Sequence, residues 1–146
     1  MTYSFNGRTQ KTIIFFLLII FSQTLFDGIG PNIYYIFKIF FAMFLIATLL
    51  LHFDLTIYED KITYQITLLN ISIYKKVLSA NQITQMKFTR VGWSTKGTII
   101  KTANGLNIRV HGFSPNAVYE QLVDFANKNN INTTKTKNYQ ILEKMN

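Results

Sequence analysis

Two long apolar segments occupy the first third of the chain, and a different pattern follows them. The segments are TIIFFLLIIFSQTLF (residues 12–26) and NIYYIFKIFFAMFLIATLLL (residues 32–51). At 1.5 Å per residue, a helix formed by the second segment is about 30 Å long, which matches the hydrocarbon core of a bilayer. The first segment is shorter, so its helix must continue through Asp27 and Gly28 or the bilayer must thin slightly. Both segments are therefore predicted to span a membrane.

The residues DGIGPN (residues 27–32), which link the segments and include the first residue of the second, are enough only for a tight turn. Pro31 suits the first turn of the second helix. The pattern therefore predicts a two-helix transmembrane hairpin over residues 12–52. Apolar side chains occupy every face of the two segments, which is not typical of core helices in a soluble protein. Lys38 is the exception, and we expect its amine to extend to the membrane surface.

Charge predicts the orientation of this hairpin. Arg8 and Lys11 precede the first segment, and lysine-rich sequence follows the second. The turn has one charged residue, Asp27. Because positive charge is retained on the cytoplasmic side, both termini are predicted to be cytoplasmic, with residues 1–11 as a cytoplasmic N-terminal tail. A cleaved signal peptide also begins with basic residues, but no small-x-small cleavage site follows the first segment.

Beyond His52 the apolar residues alternate with polar ones, which is typical of half-buried strands. In KITYQITLL the alternation places Ile62, Tyr64, Ile66 and Leu68 on one face. Glu59 and Asp60 separate this run from FDLTIY, as a hairpin turn would. Similar runs follow at ISIYKKVL, ITQMKFTRV, GTIIKTA and LNIRVHG, so the pattern predicts six strands.

One amphipathic helix is predicted after the strands. Ser114 suits the N-cap and Pro115 the first helical position. The apolar stripe of this helix recurs at helical spacing and consists of Val118, Leu122 and Phe125. Periodicity is lost in NKNNINTTKTKN (residues 127–138), so the helix should end near Lys128 and residues 131–146 should form a flexible basic tail.

The order of these elements resembles that of bacterial pleckstrin-homology-like (PH-like) domains, which often follow a pair of membrane helices. The resemblance lies in LTIYEDKITYQI, LSANQITQMKF, IIKTANGLNIRV and SPNAVYEQLVDFANK, and covers residues 53–130. It implies a membrane α+β protein in which the transmembrane helical hairpin precedes a PH-like antiparallel β-sheet or barrel domain closed by a C-terminal α-helix. The expected location is the bacterial cytoplasmic membrane.

The resemblance also implies a function. Proteins of similar layout include self-immunity proteins of bacteria that make leaderless, membrane-active bacteriocins, so this role is expected first. A scaffold or subunit of a membrane transporter complex is the alternative. Such bacteriocins are generally cationic, which disfavours their capture on a basic surface. Contact would then be made by the membrane helices or by the acidic side chains Glu59, Asp60, Glu120 and Asp124.

Composition excludes several kinds of chemistry. The chain has no cysteine, which rules out disulfides, thiolate metal sites and cysteine nucleophiles. His52 lies at the end of a predicted membrane helix and His111 at the end of a predicted strand, where histidine is usually structural, and no Gly-rich phosphate loop, catalytic carboxylate constellation or metal-ligand spacing is present. The sequence therefore predicts a non-catalytic protein without cofactor or metal.

Positive charge is the main remaining signal. Fifteen basic residues outnumber seven acidic ones, and no acidic residue lies between Asp60 and Glu120. Anionic lipid is the nearest partner for such a domain, because each basic residue near the leaflet contributes about 1 kcal/mol. An acidic protein partner or a simply solvated surface remain alternatives. Nucleic acid is excluded because no linker follows Leu51 and no nucleic-acid-binding motif is present.

These considerations give a set of predicted lipid or partner contacts. Trp93 belongs to it because an indole beside Gly92 in a loop suits a membrane interface, although a ring that caps the open end of the sheet as core is equally compatible with the sequence. The predicted contact residues are Lys75, Lys76, Lys87, Arg90, Trp93, Lys96, Lys101 and Arg109.

Overall fold

The structure is a computed structural model that describes residues 2–7, 11–26 and 33–145. In chain order the elements are β1 (Tyr3–Gly7), α1 (Lys11–Phe26), α2 (Ile33–Leu50), β2 (Leu51–Ile57), β3 (Lys61–Leu68), β4 (Ile71–Ser79), a 3-10 turn (Ala80–Gln82), β5 (Ile83–Val91), β6 (Thr95–Thr102), β7 (Ile108–His111), β8 (Phe113–Ser114), α3 (Ala117–Lys128), β9 (Asn132–Lys135) and α4 (Lys137–Lys144). The predicted turn at residues 27–32 and Arg8 lie outside the described residues.

The strands form two sheets. The first has five strands in the order β4-β3-β2-β1-β8, and the second has four in the order β7-β6-β5-β9. All pairs are antiparallel except β5 and β9, which are parallel. The protein is therefore an α+β protein with two sheets, and α3 contacts strands of both of them.

One hydrophobic core joins the two sheets and α3. Leu55 and Ile62 contribute from the first sheet, Phe88 and Ile100 from the second, and Leu122 from α3. Each is almost completely buried, because period-two alternation along the strands directs every second side chain inward. The predicted turn at Glu59 and Asp60 is confirmed between β2 and β3, where the Tyr58 N–H donates to the Lys61 carbonyl at 2.9 Å.

Residues 3–7 form strand β1, so the prediction of an N-terminal tail is wrong for these residues. β1 lies between β2 and β8, and Phe5 is part of the core. A five-residue strand is too short for its alternation to be recognised, and its partner β2 begins more than forty residues later in the chain. Gly7 pairs with Phe53, so α1 and α2 are inserted between two neighbouring strands.

The two inserted helices contact each other, and the rings of Phe21 and Phe41 have centroids 4.9 Å apart. Within the described ranges, α2 is the one helix long and apolar enough to cross a membrane; α1, at 16 residues, is shorter. Most large apolar side chains of both helices are exposed. α2 ends at Leu50 and β2 begins at Leu51 without a linker.

The apolar stripe of α3 is confirmed, because Val118, Leu122 and Phe125 are buried. The predicted start of the helix is wrong by a few residues. Ser114 belongs to β8 and pairs with Asn6 of β1, and Asn116 occupies the N-cap position. Pairing with a strand from the start of the chain decides the conformation of Ser114, and no local pattern contains that information.

The C-terminal segment is ordered, so the prediction of a flexible tail over residues 131–146 is wrong for its described part. β9 extends the second sheet, and α4 begins after Thr136, whose hydroxyl accepts a hydrogen bond from the Tyr139 N–H at 3.3 Å. Tyr139 is buried against Phe88, with ring centroids 5.5 Å apart. The sequence did not predict α4 because the segment is mostly polar and the helix buries only Tyr139 and Leu142.

Candidate functional site

The two ends of the sheets differ in what they carry. At one end β1 stops at Gly7, β2 starts at Leu51, and β8 pairs with Gly7; we call this the helix end, because α1 and α2 join the sheet there. The β3–β4 turn and the β5–β6 turn also lie at this end. The opposite end carries the Glu59-Asp60 turn, and we call it the distal end.

A cleft of about 970 Å³ opens at the helix end. The first sheet contributes Gly7, Phe53, Tyr64 and Phe113 to its lining, and the second contributes Arg109. The β5–β6 turn that contains Trp93 also borders it. The cleft is therefore built by parts of the chain that are distant in sequence and that only the fold brings together.

Aromatic rings form one wall of the cleft. The ring of Tyr64 contacts that of Phe113 edge-on, with centroids 6.4 Å apart, and contacts Tyr74 similarly at 6.5 Å. Burial raises the pKa of the Tyr64 phenol, and the neighbouring Tyr74 raises it further. Tyr64 is therefore neutral at physiological pH and presents a hydroxyl together with an apolar ring face.

Gly7 allows this wall to close. A side-chain Cβ at Gly7 would lie 2.7 Å from the Phe53 Cβ and 3.4 Å from the nearest atom of the Phe113 ring. Real Cβ atoms do not approach another carbon as closely as 2.7 Å, so a residue with a side chain would push β1 and β2 apart. Glycine at this position lets Phe53 and the Phe113 ring both lie close to the β1 backbone at its last residue.

Trp93 projects from the β5–β6 turn and is 94% exposed. Gly92 in the same turn has φ of 61° and no atom near the position of a Cβ, so the turn is open on its outer side. The core interpretation of Trp93 is therefore wrong. Its contact with lipid or a partner stays a prediction, and its position at the rim of the cleft fits that role.

Three of the predicted basic residues share one exposed face of the second sheet. Lys87, Ile99 and Arg109 are neighbours across β5, β6 and β7, and Lys101 lies two positions from Ile99 along β6. We call Lys87, Lys101 and Arg109 the basic face. Arg109 also lines the cleft, so it links the basic face with the aromatic wall.

The other predicted basic residues lie elsewhere. Lys75 is exposed on β4, whereas the Lys76 amine donates a hydrogen bond to the Leu106 carbonyl and fastens β4 to the β6–β7 loop. Arg90 and Lys96 are cross-strand partners beside the Trp93 turn. Lys96 is only 8% exposed, so its side chain is not available for lipid contact in this structure. The predicted residues thus form several groups rather than one surface.

Acidic groups lie at the distal end. Glu59 and Asp124 line a small pocket there together with Lys128. The Asn129 side-chain amide donates to the Glu59 carbonyl at 3.0 Å, which holds the end of α3 against the β2–β3 turn. A cationic peptide attracted to these carboxylates would therefore contact the end of the domain away from α1 and α2.

The side chains of the cleft offer apolar and cationic contacts. His111 also lines the cleft, and none of the lining residues that the structure describes is acidic. Within residues 2–7, 11–26 and 33–145, no group of three or more His, Asp or Glu side chains could hold a metal ion. An aromatic wall beside a guanidinium suits a ligand with an apolar part and a negatively charged part, such as a lipid with an acidic headgroup.

Sequence reasoning found Trp93 and Arg109 but missed the rest of the cleft. Phe53 and Tyr64 read as ordinary strand positions, because their alternation is that of core residues. For Phe113, as for Trp93, the sequence is compatible with core or with contact, and core is the favoured interpretation. Comparison of the chain with models of known protein families gave no match, and comparison with curated proteins gave none either.

Proposed function

We propose that this protein is a membrane-anchored, non-catalytic binding protein of the bacterial cytoplasmic membrane that gives self-immunity against a membrane-active, leaderless bacteriocin. In this proposal α1 and α2 both cross the bilayer as a hairpin, both termini are cytoplasmic, and the sheets form a PH-like domain at the inner leaflet. The observation that carries the anchoring is the insertion of α1 and α2 between the neighbouring strands β1 and β2.

This insertion fixes the orientation of the domain. The chain leaves the sheet after Gly7 and returns at Leu51, on adjacent strands, so two connections hold the same end of the sheet. A domain held by one flexible linker would rotate freely, whereas two neighbouring connections without a linker after α2 restrict it. Since Gly7 and Phe53 also line the cleft, the cleft is held next to the bilayer surface.

The lengths of the helices are compatible with a hairpin. α2 has 18 residues and a length of about 27 Å, and α1 has 16 residues and a length of about 24 Å. Both are slightly shorter than the hydrocarbon core of about 30 Å, a mismatch that local thinning of the bilayer accommodates at modest cost. The contact between Phe21 and Phe41 supports a joint crossing.

The immunity role rests on the resemblance to PH-like proteins of similar layout, and the charges favour a particular mechanism for it. The basic face, which includes Arg109, repels a cationic peptide, and the carboxylates of Glu59 and Asp124 lie at the distal end. Direct capture of the peptide by the domain is therefore disfavoured. Occupation of anionic lipid at the inner surface, which denies the peptide its binding surface, agrees with the charge distribution.

Expression of the full chain alone in a sensitive bacterium tests this function. An immunity protein needs only the bilayer and the peptide, so the chain should raise the bacteriocin concentration required for killing. A transporter subunit would give no protection without its complex. Absence of protection against every membrane-active bacteriocin tested, together with co-purification of transporter components, would replace immunity by the scaffold role.

Trp93→Ala tests the contribution of the cleft rim. Because Trp93 is exposed, the substitution should change the free energy of unfolding by no more than about 0.5 kcal/mol and yet reduce protection. Leu106→Ala is the matched control, since Leu106 is also an exposed apolar residue but lies in the β6–β7 loop at the distal end. Protein level and killing are measured together; equal protection by both variants would remove Trp93 from the site.

A further inference from the structure

The β3–β4 hairpin has an apolar tip that the core does not use. Leu69 and Asn70 form its turn, with φ of 49° and 67°. Leu69, Ile71 and Ile73 are 64%, 70% and 59% exposed. No charged residue occurs from Ile62 to Tyr74, so the whole tip is uncharged. We call residues 68–73 the hairpin tip.

Local turn chemistry does not account for Leu69. Two-residue hairpin turns with positive φ at both positions favour Asn, Asp and Gly, which tolerate the left-handed region. Asn70 fits this rule, whereas a leucine in the left-handed region is strained. An apolar side chain at an exposed and strained position therefore calls for an explanation outside the turn itself.

Strand register shows where the tip lies. Leu51, the first residue after α2, pairs with Leu68, and Leu68 pairs with Ile71. The tip is therefore level with the junction of α2 and β2, and Leu69 extends beyond that level by about one residue, or roughly 3.3 Å. An α2 that crosses the bilayer brings its last turn to the membrane surface, and with it the hairpin tip.

The side chains along β4 change in the order that a membrane interface requires. In the direction from the turn along β4, Leu69, Ile71 and Ile73 are apolar. Tyr74 follows as a half-exposed aromatic residue with a polar hydroxyl, and Lys75 is cationic and exposed. Apolar residues suit the acyl chains, tyrosine suits the interface, and lysine suits anionic headgroups. Over seven residues the strand thus passes from an apolar to a cationic surface.

We propose that the hairpin tip inserts into the inner leaflet beside α2, with Tyr74 and Lys75 at the headgroup level. The tip then acts as a third membrane contact of the first sheet, in addition to the two chain connections at Gly7 and Leu51. It fixes the tilt of the sheet, because a contact away from the β1–β2 axis prevents rotation about that axis. This inference rests on the membrane anchoring proposed above.

Single-cysteine probes in the full chain test the insertion, and the absence of natural cysteines makes the labelling specific. The protein is reconstituted in vesicles of phosphatidylglycerol and phosphatidylcholine, and an environment-sensitive dye is attached to a Leu69→Cys variant. Insertion predicts a blue-shifted emission and quenching by lipids brominated near the top of the acyl chain. Asp60→Cys is the matched control, because Asp60 lies in the turn at the other end of β3 and should show neither effect.

A Phe44→Cys variant in α2 separates the two proposals. Quenching at position 44 without quenching at position 69 would overturn the hairpin-tip insertion and leave the anchoring intact. Absence of lipid quenching at position 44 would overturn the anchoring itself, and the insertion with it. Protection of position 69 from aqueous iodide without lipid quenching would show that a second copy or another protein covers the tip, and would likewise overturn the insertion.

Discussion

At the scale of single residues, Tyr139 shows how the C-terminal segment depends on burial. Burial raises the pKa of its phenol from the ordinary 10.0 to about 12, with smaller contributions from Glu143, Tyr119 and Glu120. The folded protein therefore holds the neutral phenol, while the unfolded chain loses the proton near pH 10. Because the unfolded state binds fewer protons in this range, the free energy of unfolding decreases as the pH rises from about 10 to about 12.

The Tyr139→Phe variant should lack this part of the alkaline destabilisation. Phenylalanine retains the ring contact with Phe88 but has no proton to lose, so its free energy of unfolding should fall less steeply between pH 10 and 12. Urea denaturation in detergent, followed by circular dichroism at a series of pH values, measures the difference. Identical slopes for the two proteins would show that α4 detaches before the phenol ionises.

At the scale of elements, β1 determines how the helices α1 and α2 are connected to the first sheet. β1 and β2 are adjacent and antiparallel, so their ends at Gly7 and Phe53 need only a short turn to be joined. We predict that replacing residues 8–52 by Asn-Gly yields a folded, water-soluble domain, because this pair suits a two-residue hairpin turn. Cooperative thermal unfolding of this variant confirms the prediction.

A deletion that begins the chain at Phe53 is the control for that variant. It removes β1, which hydrogen-bonds to both β2 and β8, and with it the core residue Phe5, so the shortened chain should not fold cooperatively. Equal stability of the two variants would show that β1 is dispensable. The turn replacement, and not the simple truncation, is therefore the soluble form to use for binding measurements.

The elements that sequence could predict are those that bury a face over many residues. Strands β2, β5 and β7 and helix α3 each contribute two or more buried side chains to the core. Strands β3, β4 and β6 contribute one buried side chain each and are recognised from the length of their apolar runs. β1, β8 and β9 have five, two and four residues, and their pairing partners are distant in sequence. The candidate site could be predicted only in part for the same reason. Trp93 and Arg109 are recognisable as contact residues from their side-chain type, whereas Phe53 and Tyr64 line a cleft only because the folded strands come together there.

At the scale of the whole molecule, charge is arranged along the direction from the helix end to the distal end. Arg109 lies at the cleft and Lys101 lies farther from the helix end, whereas at the distal end Lys61 and Lys128 offset the charge of Glu59 and Asp124. Such an arrangement orients a domain toward an anionic surface before any specific contact forms. The charge arrangement therefore favours the same orientation of the domain as the two chain connections at Gly7 and Leu51 do.

This arrangement makes a positional prediction for the turn-replaced domain and vesicles that contain phosphatidylglycerol. Binding should weaken as salt rises, and Arg109→Gln should weaken it more than Lys101→Gln, although both remove one positive charge. Lys101 lies two residues beyond the partner of Arg109, or about 7 Å, which is comparable with the Debye length of about 10 Å at 0.1 M salt. Sedimentation with vesicles at several salt concentrations measures both effects. Equal losses for the two variants would mean that net charge alone drives binding, and equal binding to neutral phosphatidylcholine vesicles would exclude anionic lipid as the partner of the basic face.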